Sequence, residues 1–431
     1  MTGDRSSTRR GFLAVAGGTF LAGCGGLGDV ADGSDVSISS HRLPDVTDDG
    51  ESVPIVVETV PVEIAQEQLA GRMRRVTDLL ETVPVPLGPA EIPNGAIRQR
   101  LLDAAADATT YSQDARTAQT RLSALHALRR ARERARYAAA GWAYVEDDRT
   151  RETLQAERRR AVDDAQSLQS DVDYLGHDPV RTAVVYARLE RNLDLVLTDR
   201  SPHIHESSPL LTVAEWGEHA ESARALTDDT RYLYDRYSAG LPDDARPVKE
   251  ALAAAAETLA ERLQNRRAEL PPESTEGDEE FEWRLRYRLR DAADSSARRI
   301  AETIGPARAI VTAVEGFSDL SAYESVRSRI EEGETFRVES AADVHERRRQ
   351  AVRAVRTALE QSPRPELARP VLADAAATIA YADEDLDRYH GEVRAARLDD
   401  PIRRYVTAAA RARSAPTACQ HVLDALDAQG L

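Results

Sequence analysis

The chain has 431 residues and a formal net charge of −17, and apolar residues make up 42% of it. A single hydrophobic core stops growing at roughly 250–300 residues, so the length favours two sub-bundles. Aromatic residues make up only 5%, so the core must be built from Ala, Leu and Val, which favours closely packed helices. The acidity argues against nucleic acid as a partner, because a phosphate backbone requires a basic surface.

The first 24 residues combine, in order, a pair of arginines, an apolar stretch and a cysteine. The apolar stretch, residues 11–23, is too short and too rich in glycine for a membrane span of about 20 apolar residues. The residues that form the pattern are Arg9, Arg10, Phe12, Leu13, Leu21, Ala22, Gly23 and Cys24. The pattern resembles the signal of twin-arginine-exported lipoproteins, although Ala14 stands where a lysine is often found.

This resemblance implies a location for the whole protein. Residues 1–23 would be a signal peptide that directs export of the folded chain and is cleaved before Cys24. A lipid on Cys24 would then hold the body at the outer face of the cytoplasmic membrane, with the membrane as a partner. Cys419 would remain as the second cysteine, so we expect no intramolecular disulfide.

The charged residues are unusual in type, because Lys249 is the only lysine among 57 basic residues, while 74 residues are acidic. A strongly acidic chain almost without lysine resembles the proteins of salt-loving archaea. At about 1 M salt the Debye length is about 3 Å, so repulsion between carboxylates would be screened. A GC-rich genome that prefers Arg, Ala and Asp codons is the alternative explanation.

Residues 24–50 are rich in Gly, Asp and Ser, which predicts a flexible acidic tether. Around the end of the tether lies the one convincing β signal of the chain. Residues 36–39 alternate in polarity, residues 48–50 are typical of a turn, and residues 54–60 are rich in β-branched side chains. The pattern predicts either a small N-terminal hairpin or an extended strap along the helices.

From about residue 62 onward, apolar residues recur every three or four positions, which places them on one helix face. The clearest seams are Leu122, Leu125, Leu128, Ala131 and Ala135; Val185, Leu189, Leu193 and Val196; Leu252, Ala256, Leu259 and Leu263; and Leu372, Ala375, Ile379 and Leu386. Capping signals predict helix starts at Asp178-Pro179, at Thr212 with Glu215, and at Ser340 with Asp343.

Breaks rich in Pro and Gly separate long helical segments, at 84–93, 201–209, 238–247, 271–278, 305–306 and 362–370. The sequence therefore predicts an all-α fold of long antiparallel helices in bundle or coiled-coil-like packing. Residues 271–278 combine Pro, Gly and acidic residues and are the best candidate for a boundary. They would separate a helical region at 51–270 from a second region at 279–431.

The densest group of histidines suggests a metal site. The candidates are His203 and His205 on a loop, followed by Glu215 and His219, which are four residues apart and share a helix face. Imidazole and carboxylate suit zinc or iron, but the loop and the helix would have to converge. Neither HExxH nor a cysteine cluster accompanies the group, so the alternative is a solvated acidic loop and no cofactor is predicted.

A second candidate lies in residues 281–290, where large apolar and charged side chains alternate. Alternation is typical of a strand, but the spacing of four between apolar residues favours a helix. On a helix, Trp283, Arg284, Tyr287 and Arg288 could bind an anionic ligand through charge and stacking. The alternative pairs these arginines with neighbouring acidic helices.

No phosphate loop, GxSxG or SxxK motif points to an enzyme. Long amphipathic helices on a tether favour a non-catalytic scaffold or interaction protein of the cell envelope, with an unidentified protein partner at the cell surface. The alternative is an extracytoplasmic binding protein for a metal ion or a small anionic ligand. An enzyme with an unrecognised site is the third hypothesis.

Overall fold

Helices account for most of the chain in this computed structural model and confirm the predicted all-α class. The structure describes residues 36–44, 52–84, 86–146, 150–198, 202, 204–205, 207–272 and 281–431. The predicted signal peptide, Cys24, much of the tether and the turn at 48–50 lie outside these residues. None of the described helices is both long enough and apolar enough to cross a membrane.

The described residues contain twelve α-helices and four short strands. The helices are α1 Gln66–Glu81, α2 Gly95–Thr117, α3 Arg121–Val145, α4 Arg151–Asp171, α5 Pro179–Leu197, α6 Pro209–Ala239, α7 Lys249–Ala268, α8 Phe281–Glu302, α9 Pro306–Glu331, α10 Ala341–Gln361, α11 Pro365–Asp387 and α12 Asp399–Asp427. The strands are β1 Ser37–Ser39, β2 Leu175–Gly176, β3 Arg246–Pro247 and β4 Glu392–Arg394.

The four predicted seams are buried along their whole length in α3, α5, α7 and α11. One continuous apolar cluster extends from Ile38 to Leu426 and so includes side chains from both predicted helical regions. A second cluster lies among α1, α2, α3 and the start of α6. Burial of a Leu or Val side chain stabilises a fold by roughly 1.5–3 kcal/mol, so each of these seams contributes to the stability of the core.

Helices α8 and α9 pack antiparallel, which is the arrangement that the sequence predicted for neighbouring helices. Arg299 on α8 bonds Glu315 on α9, and Ser296, one turn earlier, bonds Asp319, one turn later. Helix α5 packs against α6 of the first predicted region and against α9 of the second, so it connects the two regions. Residues 36–431 form one compact unit. Within it α7 packs against α9 and α12, although the predicted boundary assigns α7 to the first region.

Two of the three predicted helix starts are confirmed. Asp178 accepts a bond from the N–H of Arg181 at the start of α5, and Ser340 forms a reciprocal capping box with Asp343 at the start of α10. The start predicted at Thr212 is wrong, because α6 begins at Pro209 with Ser208 as its cap. A proline fixes φ near the helical value at the first helical position, which favours the earlier start.

Residues 52–65 form the strap that was the second of the two N-terminal alternatives. The hairpin pairing with residues 36–39 does not form, because β1 instead pairs antiparallel with β4, with Ile38 opposite Val393. Both of these side chains are buried, whereas a local hairpin would leave one face in water. The strap runs without strand structure from Ser52 to Ala65, and Val53, Val56, Val60 and Val62 pack against the core.

Candidate functional site beneath the strap

The predicted metal candidates are only partly brought together. His205 Nε2 lies 3.3 Å from Glu215 Oε1, and His219 follows one turn later on α6. His203 lies outside the described residues. Among the residues that the structure describes, no group of three or more His, Cys, Asp or Glu side chains could hold a metal ion. The metal site therefore stays a prediction, and the observation in its favour is the contact between His205 and Glu215.

The predicted ligand-binding residues on α8 are divided between two clefts. The helix itself is confirmed, and the rings of Trp283 and Tyr287 stack with their centroids 5.2 Å apart. These rings line one open cleft, whereas Arg284 lines another beside Asp400. Arg288 pairs with Asp400 at 3.0 Å, as the acidic-helix alternative expected. The four side chains therefore do not form a common site.

The more convergent site is a cavity of about 400 Å³ beneath the strap. Its walls come from α5, α8, α9, α11 and α12, and the strap contributes Glu58 and Thr59. Six arginines line it: Arg188, Arg191, Arg299, Arg308, Arg369 and Arg411. The carboxylates of Glu58, Glu315, Glu366 and Asp374 also line it, so positive groups outnumber negative ones there although the chain has a net charge of −17.

Three of these arginines are held by carboxylates of the helical framework. Arg299 donates two bonds of 2.9 Å to Glu315, and Arg308 bonds Asp194 at 2.5 Å. Arg411 bonds Asp319 at 2.5 Å and also contacts Asp374. Because each positive charge has at least one carboxylate on a neighbouring helix, these four ion pairs belong to the architecture of the cavity wall.

The other three arginines are held by the strap. Glu58 bonds Arg188, and its second carboxylate oxygen lies 3.6 Å from Arg191 Nη1. Arg369 Nη1 donates to the Val57 carbonyl oxygen at 3.4 Å. Within the described parts of the chain, no other carboxylate pairs with Arg188, Arg191 or Arg369. Two adjacent strap residues thus supply the acceptors for three guanidinium groups.

The phase of α5 determines this arrangement. Asp178 and Pro179 fix the start of the helix, and the buried seam from Val185 to Val196 turns one face toward the core. Arg188 and Arg191 are three residues apart, so they project together from one side of α5 beside that seam. The Arg188 side chain is only 11% exposed, so its charge lies in a partly desolvated environment.

The pKa values of Glu58 and His126 reflect the positive charge of the arginines beside them. Burial alone would raise the pKa of Glu58, but Arg188 and Arg191 hold it below its usual range, so this carboxylate is ionised at neutral pH. Glu58, Arg188 and Arg191 also line a second cavity of about 450 Å³ that contains His126. Burial, with Arg188 and Arg129, lowers the pKa of His126 to about 3, so it is neutral there.

The arginines that line the first cavity are suited to bind an anion. Guanidinium groups present planar sets of N–H donors that match carboxylates and phosphates. The lining residues also include the hydroxyls of Thr59 and Thr312, which can donate further hydrogen bonds to an anion. Sequence reasoning missed this site, because arginine is frequent throughout the chain and Arg369 lies far along the sequence from Arg188 and Arg191.

Comparison with known families divides the chain close to the α6–α7 connection. Residues 67–244 match a model described as "Domain of unknown function (DUF8262)", and residues 249–424 match one described as "Domain of unknown function (DUF8264)". Each match covers about two fifths of the chain. No curated protein and no solved structure matches significantly. Arg188 and Arg191 belong to the first matched region and Arg369 to the second, so the cavity is assembled from both.

Proposed function

We propose that this chain is a lipid-anchored, extracytoplasmic binding protein for a small anion, and that the cavity beneath the strap is its binding site. The observation that supports this role is that Arg188, Arg191 and Arg369 converge from two helices and, among the residues that the structure describes, have their acceptors on the strap. The ordered arginine pair, apolar stretch and Cys24 support the location.

This proposal favours the binding alternative over the scaffold hypothesis. A scaffold that docks other proteins is expected to expose a contiguous apolar surface. The large apolar side chains that are exposed in the described residues lie at scattered positions along the chain: Ile55, Ile204, Tyr287, Ile304 and Tyr381. A protein partner at the cell surface stays a prediction, which cross-linking in intact cells would test.

Anion binding can be measured by titration calorimetry with inorganic phosphate, in the KCl concentration that preserves the helical circular-dichroism signal. We expect saturable binding by the wild type. Arg188→Gln combined with Arg191→Gln should weaken the affinity about tenfold or more. Arg298→Gln is the control, because this arginine is exposed on α8 and pairs with Asp294 outside the cavity. Absence of binding, or equal loss in the control, would contradict the proposed site.

The location is tested independently of the ligand. We expect Cys24→Ser to release the protein into the medium, because the lipid attachment site is lost. We expect Arg9→Lys together with Arg10→Lys to retain it in the cytoplasm. Mass spectrometry of the wild-type amino terminus should find acylation at Cys24. An uncleaved, unmodified terminus would contradict export and anchoring, while leaving the anion site open to its own test.

A further inference from the structure

We propose that Val57 and Glu58 of the strap occupy the ligand position, and that the ligand is an aliphatic dicarboxylate of matching length which displaces them. The inference rests on the proposed function and narrows its ligand class. Its basis is that the cavity already contains an acceptor pair, whose chemistry and spacing can be read from the strap.

The strap presents two oxygen acceptors to two different helices. The Glu58 carboxylate meets Arg188 and Arg191 on α5, and the Val57 carbonyl oxygen meets Arg369 on α11. The backbone carbonyl carries no formal charge, so Arg369 has a neutral acceptor where a carboxylate would bind more strongly. A ligand with a carboxylate at each end would satisfy all three guanidinium groups and supply one more negative charge than the strap.

The covalent path along the strap sets the length of such a ligand. The atoms between the Val57 carbonyl carbon and the Glu58 carboxyl carbon are N, Cα, Cβ and Cγ. Adipate places the same number of atoms between its two carboxyl carbons, whereas glutarate and succinate are shorter. A cavity of about 400 Å³ is within the usual range for small-molecule sites and leaves room for this chain.

The strap is also suited to leave the site. Residues 52–65 form no strand pairing, and Ile55, three residues before Glu58, is 69% exposed. Before residue 57, the strap is held by a hydrogen bond of 2.8 Å that the Arg356 side chain donates to the Ser52 carbonyl oxygen. Beyond it, the strap is fixed by the bond from the Ala65 N–H to the Tyr232 hydroxyl at 2.7 Å. Val53 and Val56 on one side and Val60 and Val62 on the other also pack against the core, so displacement of residues 57–58 leaves both ends of the strap attached.

Competition between the strap and the ligand gives a direct test by calorimetry with succinate, glutarate, adipate and inorganic phosphate. We expect adipate to bind tightest to the wild type, and Glu58→Gln to bind adipate about tenfold more tightly, because the competing charge is removed. Glu63→Gln is the matched control, because it changes another strap carboxylate that is 78% exposed and lies outside the cavity. The Glu63→Gln variant should bind adipate with the same affinity as the wild type.

The outcomes separate this inference from the proposed function. If phosphate binds through Arg188 and Arg191 but adipate binds no better than succinate, or Glu58→Gln gains nothing, the inference is wrong and the anion site stands. If none of the four anions binds, both fail.

Discussion

At the scale of single residues, one buried carboxylate fixes the start of α9 to α5. Glu190 accepts bonds from the backbone N–H groups of Ala307 at 3.2 Å and Arg308 at 2.6 Å, and from the Tyr174 hydroxyl at 2.8 Å. Helix α9 has Gly305 at its cap position, which offers no side chain. Because the first N–H groups of a helix need acceptors, Glu190 acts as a cap supplied from a distant segment.

We expect Gly305→Ala to destabilise the fold by about 3 kcal/mol or more. Gly305 has φ +95°, and an added Cβ would lie 2.2 Å from the Glu190 carboxyl carbon, so backbone strain and a steric clash combine. Gly333→Ala is the control, because its φ is +90° but no atom lies within 4 Å of the added Cβ. It should cost only about 1 kcal/mol of strain. Equal losses in urea unfolding would show that the Glu190 contact is unimportant.

Glu190 should also produce a pH dependence opposite to that of an ordinary paired carboxylate. Burial raises its pKa from 4.5 to about 7. Between these values the folded protein binds a proton that the unfolded chain has released, so stability falls as pH rises. Relative to Glu190→Gln, which cannot ionise, the wild type should lose about 2–3 kcal/mol in unfolding free energy between pH 5 and 8. Parallel pH profiles for the two proteins would contradict this expectation.

At the scale of helices, buried ion pairs help to fix the relative positions of helices whose Ala-rich contacts are small and uniform. Arg348 on α10 donates two bonds of 2.9 Å to Asp383 on α11, which also accepts a 2.5 Å bond from the Tyr405 hydroxyl on α12. All three side chains are buried. One carboxylate therefore fixes the relative positions of three helices, and its removal would leave a buried guanidinium and hydroxyl poorly satisfied.

Asp383→Ala should accordingly cost about 3–5 kcal/mol in urea unfolding. The double variant Arg348→Met with Asp383→Leu removes both charges and fills the volume with apolar atoms, so it should recover much of that loss. A double variant that is as unstable as Asp383→Ala would show that the lost volume, rather than the lost ion pair, causes the effect. The comparison separates the electrostatic contribution from packing.

The sequence predicted the helices well because a seam such as Leu252 to Leu263 is a local pattern with a period set by the helix itself. It did not predict the partner of β1, because Ser37 pairs with Arg394 across most of the chain. The strap was foreseen only as an alternative for the same reason. Its β-branched residues indicate extended structure, but the bond between Ser52 and Arg356 depends on tertiary packing.

At the scale of the whole molecule, the abundance of charge is what concealed the candidate site. With 57 basic and 74 acidic residues, almost any arginine has a carboxylate within reach, so pairing could be expected in general but not assigned to partners. The pair Arg288–Asp400 illustrates a correct expectation without a predicted partner. Among the described residues, Arg188, Arg191 and Arg369 differ from the other cavity arginines because their acceptors lie on the strap and not on the helices, and such a difference can be seen only in three dimensions.

The same excess of acid leads to a prediction for the whole fold. Carboxylates on the surface repel one another over a Debye length of about 10 Å at 0.1 M salt, but over only about 3 Å at 1 M. Buried pairs such as Arg348–Asp383 are screened much less by salt, so they should contribute similarly in both conditions. Desalting should therefore raise the repulsion without strengthening the internal pairs enough to offset it.

We expect cooperative folding in molar KCl and loss of the far-UV circular-dichroism signal of the helices in dilute buffer. Screening depends on ionic strength rather than on the identity of the cation, so NaCl at equal concentration should restore the same signal. A recovery specific to KCl would instead indicate bound potassium ions. An unchanged helical signal after desalting would contradict the argument, because a net charge of −17 would then be tolerated without screening, and codon preference would remain as the reason for the composition.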